Sequence, residues 1–349
     1  MSSLEEYVEK LNRADQAERI YAAEDIGYWN EPEGVPALLE RLSREPAPAV
    51  RDAIFQALIR IEGDAAIDGC IGLLASEEAQ IRNQGVDALR RKGARAIPFL
   101  SALMRDGDKD IRKLVLDVLS EIQASDTEEI YATALSDQDP NVVITAVENL
   151  GRLRAEAFRN RIEDLLQAAS HPMLIAACVE ALVGIGHESA LAAIRRRFPE
   201  LAALPDFFLA PCLKAAAALG TDQDFAEVAR LLPVRGPHLR PAILNALLEI
   251  CPRRLSPAPV EELLPALRAV VEDGDPPLCR YQAVRILGFW TARDEVYWLL
   301  VACLSSTERL VRLGAAESLR MTPRPELEPV LAARAREESD EEVLQALGR

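Results

Sequence analysis

The stretch DPNVVITAVENLG, Asp139 to Gly151, places a proline where a first helical turn tolerates one, then apolar residues at i, i+4 and i+8, and closes on glycine. The same phrase opens at Val50-Arg51, Ile81-Arg82, Ile111-Arg112, Cys279-Arg280 and Val311-Arg312, each with a leucine eight positions after its first apolar residue. Val50, Ile81, Ile111 and Val142 are 31, 30 and 31 positions apart. An i, i+4, i+8 spacing is one buried stripe on a helix. A fixed period of this length, with no strand alternation between phrases, predicts an all-α solenoid of stacked helix pairs.

Working outward, second helices are expected to begin near Glu18, Pro48, Glu78, Lys109, Pro140, Pro172, Leu209, Pro237, Pro277 and Glu308. First helices fall between them, at Val35 to Leu42, Ala65 to Leu74, Ile97 to Met104, Glu128 to Leu135, Phe158 to Leu166 and Val260 to Val271. Ile26-Gly27, Leu150-Gly151, Leu219-Gly220 and Leu287-Gly288 suggest helix ends closed by a left-handed glycine. The expectation is a single solenoid over 1–349: about ten pairs, regular over 15–186, irregular over 187–276 and regular again over 277–347. Asp340 to Leu347 is expected as a half-repeat cap. The irregular part holds Pro199, Pro205 and Pro211 and the proline-rich run Cys251 to Pro259, expected as loops or bends.

Composition narrows the function classes. The chain is 49% hydrophobic but only 5% aromatic, so leucine, alanine, valine and isoleucine must fill the core. A net charge of −16 opposes nucleic acid and anionic lipid and favours a basic partner. Six cysteines without a CxxC pair are expected as small hydrophobes in a reducing compartment. The acidic MSSLEEYVEK start is unlike a signal peptide, and no apolar run reaches membrane-spanning length. A cytoplasmic protein with no membrane association is expected.

The Asp/Pro-x-Val-Arg-x-x-Ala-x-x-x-Leu-Gly phrasing, best kept in Asp139 to Gly151, Asp275 to Gly288 and Glu308 to Leu319, resembles the HEAT-repeat proteins. The nearest likeness is to the short bacterial type, also described as the repeats of phycobilin lyases. The resemblance implies a right-handed superhelix with second helices lining a concave face, and an interaction scaffold as the usual role. It also implies three enzymatic comparisons. Deoxyhypusine hydroxylases bind di-iron through several His-Glu pairs, whereas this chain has three histidines and one such pair, His187-Glu188. Alkylpurine glycosylases of this type use a basic, aromatic face, which an acidic chain does not offer. Phycobilin lyases leave a chromophore-lyase activity as the alternative function, although no residue here specifies a tetrapyrrole.

Two sets of residues stand out on the helical wheel. Arg51, Arg82, Arg112, Arg280 and Arg312 each lie seven positions before a core leucine, about 20° from the core direction. They are expected to form an inter-repeat ladder with acids such as Asp108, Asp110, Asp139 and Asp275. The residue two positions before the same leucine lies about 160° from the core. That position reads Glu24, Gln56, Asp87, Asp117, Glu148, Glu180, Ala217, Asn245, Arg285 and Glu317. Glu24, Asp87, Asp117, Glu148 and Glu180 form an acidic stripe suited to a basic helix or peptide of a protein partner. The aromatic pairs Tyr28-Trp29 and Phe289-Trp290 are expected to pack under turns, and the runs Arg90-Arg91-Lys92 and Arg195-Arg196-Arg197 to be solvated helix ends. With no Gly-x-Ser-x-Gly, phosphate loop or metal-ligand spacing, no catalytic residue, metal or cofactor is assigned. A non-enzymatic scaffold or adaptor is expected.

Overall fold

The computed structural model describes residues 3–122, 127–187, 189–254, 263–272, 275–321 and 324–348. All regular structure among them is helical, and it divides into two compact units, Met1–Ala155 and Glu156–Arg349. The first holds the pairs α1–α2 (Ser3–Lys10, Gln16–Tyr28), α3–α4 (Val35–Leu42, Pro48–Arg60), α5–α6 (Asp64–Leu73, Ala79–Lys92), α7–α8 (Ile97–Leu103, Lys109–Ile122) and α9–α10 (Glu128–Ala134, Pro140–Arg152). The second holds α11–α12 (Arg159–Ala168, Pro172–Ile185), α13–α14 (Ser189–Arg197, Asp206–Leu219), α15–α16 (Asp222–Leu231, Arg240–Ile250), α17–α18 (Leu263–Glu272, Pro277–Leu287), α19–α20 (Asp294–Cys303, Arg309–Leu319) and α21–α22 (Leu327–Ala335, Glu341–Ala346). Within each unit, successive second helices pack on one another, and the second helices up to α20 pack on their own first helices. Each unit is an α-solenoid.

The repeated phrase builds the core as its spacing requires. Val50, Ile54 and Leu58 of α4, Val142, Ala146 and Leu150 of α10, and Val311, Ala315 and Leu319 of α20 are all fully buried. Prolines occupy the first turns of α4, α10, α12 and α18, where the missing amide leaves no intrahelical bond unmade. Asp15, Asp139 and Asp340 cap α2, α10 and α22 through their side chains. α22, with its Val343 buried, packs on α20.

Two local expectations need correction. Gly27 and Gly151 lie inside α2 and α10, and Gly288 has φ −52°, so none is a left-handed cap. Gly27 serves close approach: a methyl group there would lie 2.7 Å from Ala57 Cα on the next second helix. Pro211 lies inside α14, which continues through it. Residues 187–276 hold the helix pairs α13–α14 and α15–α16; of the Cys251 to Pro259 run, residues 255–259 lie outside the described residues.

Candidate functional site

At several repeat turns the geometry is set by an arginine and a carboxylate from successive pairs. Arg112 of α8 donates from Nε and a terminal nitrogen to both oxygens of Asp137, at 2.7 and 2.8 Å, while its other nitrogen donates to the Asp106 and Gly107 carbonyls. Arg312 holds Glu338 at 2.7 and 3.0 Å and the Ser306 and Thr307 carbonyls. Arg19, which lies outside the expected ladder, does the same to Glu45 at 2.9 and 3.0 Å and to the Arg13 and Ala14 carbonyls. Each arginine therefore ties the turn before its own helix to the turn of the next pair. Such bidentate, charge-assisted bonds suit the guanidinium fork and not an ammonium.

The acids are mostly not those expected. Glu45, Asp137 and Glu338 each sit two residues before a second-helix cap, and each also accepts the cap residue's amide, from Ala47, Asp139 and Asp340. Asp139 is spent on capping α10 and on Lys109, and Asp108 accepts the Asp110 amide. Of the four acids named from spacing, Asp275 alone meets a repeat arginine, and its partner is Arg240, outside the five listed from sequence. Where serine stands two before the cap the pattern changes. Ser76 takes the Glu78 amide, and Arg51 turns to Glu78 at 2.9 Å and to the Glu45 carbonyl. Arg82 bonds the Ser76 and Glu77 carbonyls, and Arg280 the Val271 carbonyl. Hydrogen bonds from Arg112 hold the Asp137 carboxyl below its ordinary range, and those from Arg312 bring Glu338 to about 2. Burial pushes Glu45 upward, but Arg19, the Ala47 amide and Arg41 outweigh it.

A second set of staples escaped the sequence. Lys92 donates to the Ile59 and Ile61 carbonyls at the end of α4, and Arg152 to the Ser120 carbonyl of α8. Arg197 bonds the Gln167 and Ala169 carbonyls at the end of α11, and Arg195 pairs with Asp224. Lys92 and Arg197, expected to be solvated, join Arg152 in satisfying orphan carbonyls of neighbouring helices, and Arg195 meets a carboxylate. The signal is invisible in sequence because the partner is a backbone atom about thirty residues away.

The stripe positions face outward on their helices: Glu24, Glu148 and Glu180 are exposed, Asp87 and Asp117 half-buried. Several carry cations of their own chain. Asp87 meets Arg90 and Arg91, and the Arg90 bond lowers its carboxyl range; Asp117 meets Lys113 at 2.9 Å; Glu180 meets Lys214 at 3.7 Å. Glu24 carries no hydrogen bond or ion pair among the described residues. Asp117 and Glu148 line one open groove between α8 and α10, of about 560 Å³, with Lys113, Asn141, Asn149 and Arg152. Glu180 belongs to the second unit and the other four to the first.

A family model described as HEAT repeats matches residues 4–90, 96–183 and 260–349. The chain belongs to the HEAT-repeat family. No curated protein sequence matches it. The unmatched stretch between the second and third segments contains α13–α16, so HEAT-like pairing persists where the repeat wording is lost. Proteins built of HEAT repeats commonly serve as interaction scaffolds. No described helix is long and apolar enough to cross a membrane, and no described cluster of three His, Cys, Asp or Glu side chains is placed to hold a metal. Glu188 of the one His-Glu pair lies outside the described residues.

One Ser/His/acid grouping does assemble in this HEAT-repeat chain. Ser189 Oγ donates to Glu163 at 2.7 Å and lies 3.0 Å from His187 Nδ1, which accepts the Ser189 amide. The hydroxyl lies closer to the carboxylate than to the imidazole, whose Nδ1 already takes the Ser189 amide, and the group closes the start of α13. The six cysteines are all buried, and burial pushes the thiols of Cys178, Cys212 and Cys251 up to about 12. They are inert packing residues.

Proposed function

We propose that this protein is a non-enzymatic interaction scaffold whose first unit receives a basic segment of a protein partner across the outward face of α6, α8 and α10. Support comes from Asp87, Asp117 and Glu148 on three successive second helices, in a unit that holds 29 acids and 18 Lys or Arg, a net of −11. The exposed pairs within the stripe do not block such a partner. An exposed i, i+4 pair such as Lys113–Asp117 is worth only about 0.3–0.5 kcal/mol, so an incoming cation competes easily.

The test is a triple reversal, D87K/D117K/E148K, probed with a fluorescein-labelled basic helical peptide. The variant should keep its helical circular dichroism and lose about tenfold or more in affinity, while wild-type binding weakens steadily with salt. Equal affinity of the folded variant and the wild type would falsify the proposed face.

A further inference from the structure

We infer that α2 carries an anchor for an arginine side chain of the partner, formed by Tyr21, Tyr28 and Trp29 around Glu24. This rests on the proposal that the first unit binds a basic segment, and it names where one residue of that segment docks and which cation it is.

In the first unit the large apolar side chains left exposed among the described residues are Tyr21, Tyr28 and Trp29, at 65%, 70% and 59% exposure. All three sit on one helix or the residue after it. Tyr21 and Tyr28 are seven positions apart and therefore on the same face, with Glu24 between them, one turn before Tyr28. Tyr28 and Trp29 meet edge to face, with ring centroids 5.0 Å apart, which holds the two rings as a preformed surface.

The same sequence feature has the opposite fate in the second unit. Gly288 is followed by Phe289 and Trp290 as Gly27 is followed by Tyr28 and Trp29, yet Trp290 is 6% exposed and packs edge-on to Phe225. Burial under a turn, the role expected for both, holds for Trp290 and fails for Trp29. A pair of large rings kept in water on a folded helix invites a covering group.

The surrounding charge selects that group. From Asp15 to Gly34 the chain has six acids and one base, Arg19, and Arg19 is buried against Glu45. Glu24 has no cation of its own. Beyond Tyr28 the open cleft is lined by Gly27, Asn30, Arg60 and Glu62, and Glu62 meets Arg95 at 3.3 Å. A planar guanidinium stacks on an aromatic face and keeps its edge free to bond a carboxylate, whereas a strongly hydrated ammonium does so less well. Tyr28 or Trp29 supplies the face and Glu24 the acceptor.

The experiment uses the full chain and two fluorescein-labelled helical peptides of equal charge, one with arginine and one with lysine, followed by anisotropy. Wild type should prefer the arginine peptide by about fivefold, as one or two cation–π contacts imply. The exposed double substitution Tyr28→Ala/Trp29→Ala should keep its melting temperature and lose that preference, and Glu24→Gln should reduce it. D87K/D117K/E148K should weaken both peptides alike and leave the ratio intact. Equal affinity of wild type for the two peptides, or an arginine preference that survives Tyr28→Ala/Trp29→Ala, overturns the anchor while leaving the acidic-face proposal standing. Failure of both peptides to bind wild type overturns both.

Discussion

The two units solve the same packing problem with different resources. Residues 1–155 carry a net charge of −11 and one cysteine; residues 156–349 carry 27 acids against 22 Lys or Arg, a net of −5, and five cysteines. In the first unit the staples reach a carboxylate 25–27 residues ahead, as in Arg112–Asp137, Arg19–Glu45 and Arg51–Glu78. In the second, Arg312–Glu338 keeps that reach, but Arg240 spans 35 residues to Asp275. An arginine–carboxylate bond between turns is thus kept at Arg240 across a longer stretch of chain, through one nitrogen in place of the two that Arg112 uses. Among the described residues, exposed large apolar side chains follow the same division: Tyr21, Tyr28 and Trp29 on or just after α2 in the first unit, and Met173, Phe207, Val234, Leu278, Trp298 and Met321 dispersed over the second.

The sharpest way to break this comparison is at Glu45, the fully buried acid of the first unit, held by Arg19, Arg41 and the Ala47 amide. Glu45→Ala strands two arginines and should remove about 3–5 kcal/mol in urea unfolding. Because Cys70 is the one thiol of the first unit, its native-state alkylation should accelerate more than that of any second-unit cysteine. Equal acceleration at all six thiols would mean that the units do not respond separately.

In the second unit the matching acid is Glu338. Its folded range is about 2 against an ordinary 4.5, so its contribution is fully present above pH 4.5 and is lost as pH falls toward 2. Glu338→Gln should lower stability at pH 7 by about 2–4 kcal/mol and flatten the fall in stability between pH 4.5 and 2. An unchanged acid profile in that variant removes Glu338 from the account.

The smallest effect tests close approach. Gly27→Ala should cost about 1–3 kcal/mol, because its methyl meets Ala57 backbone. Gly72→Ala, in α5 with open space around it, should instead stabilise by about 0.5–1 kcal/mol. Thermal melts of the two variants shifting in the same direction would remove the packing explanation.

Fold and helix starts were legible because they are local: proline and periodicity place Pro48, Lys109, Pro140, Pro172 and Pro277 at the first residue of their helices. Of the five arginines expected in the ladder, Arg51, Arg112 and Arg312 reach a carboxylate of the next pair, while Arg82 and Arg280 bond carbonyls of their own pair. The ladder's acid was misassigned at Asp139 because a cap aspartate is occupied by the amides of its own helix, leaving the acid two residues earlier to face the arginine. The recurrence of Glu45, Asp137 and Glu338 at that offset was a usable signal. Gly27 and Trp29 were misread because packing and burial are decided by the neighbouring pair, which no single phrase contains.

The arginine–carboxylate bond between successive turns also gives the array a grammar of growth. At Arg19–Glu45, Arg112–Asp137 and Arg312–Glu338 one pair supplies the arginine and the next pair the acid, whereas Arg82 and Arg280 bond carbonyls of their own pair. Copying or losing a whole pair out of register therefore strands a charge at junctions of the first kind and spares those of the second, so the array's tolerance of length change differs from junction to junction.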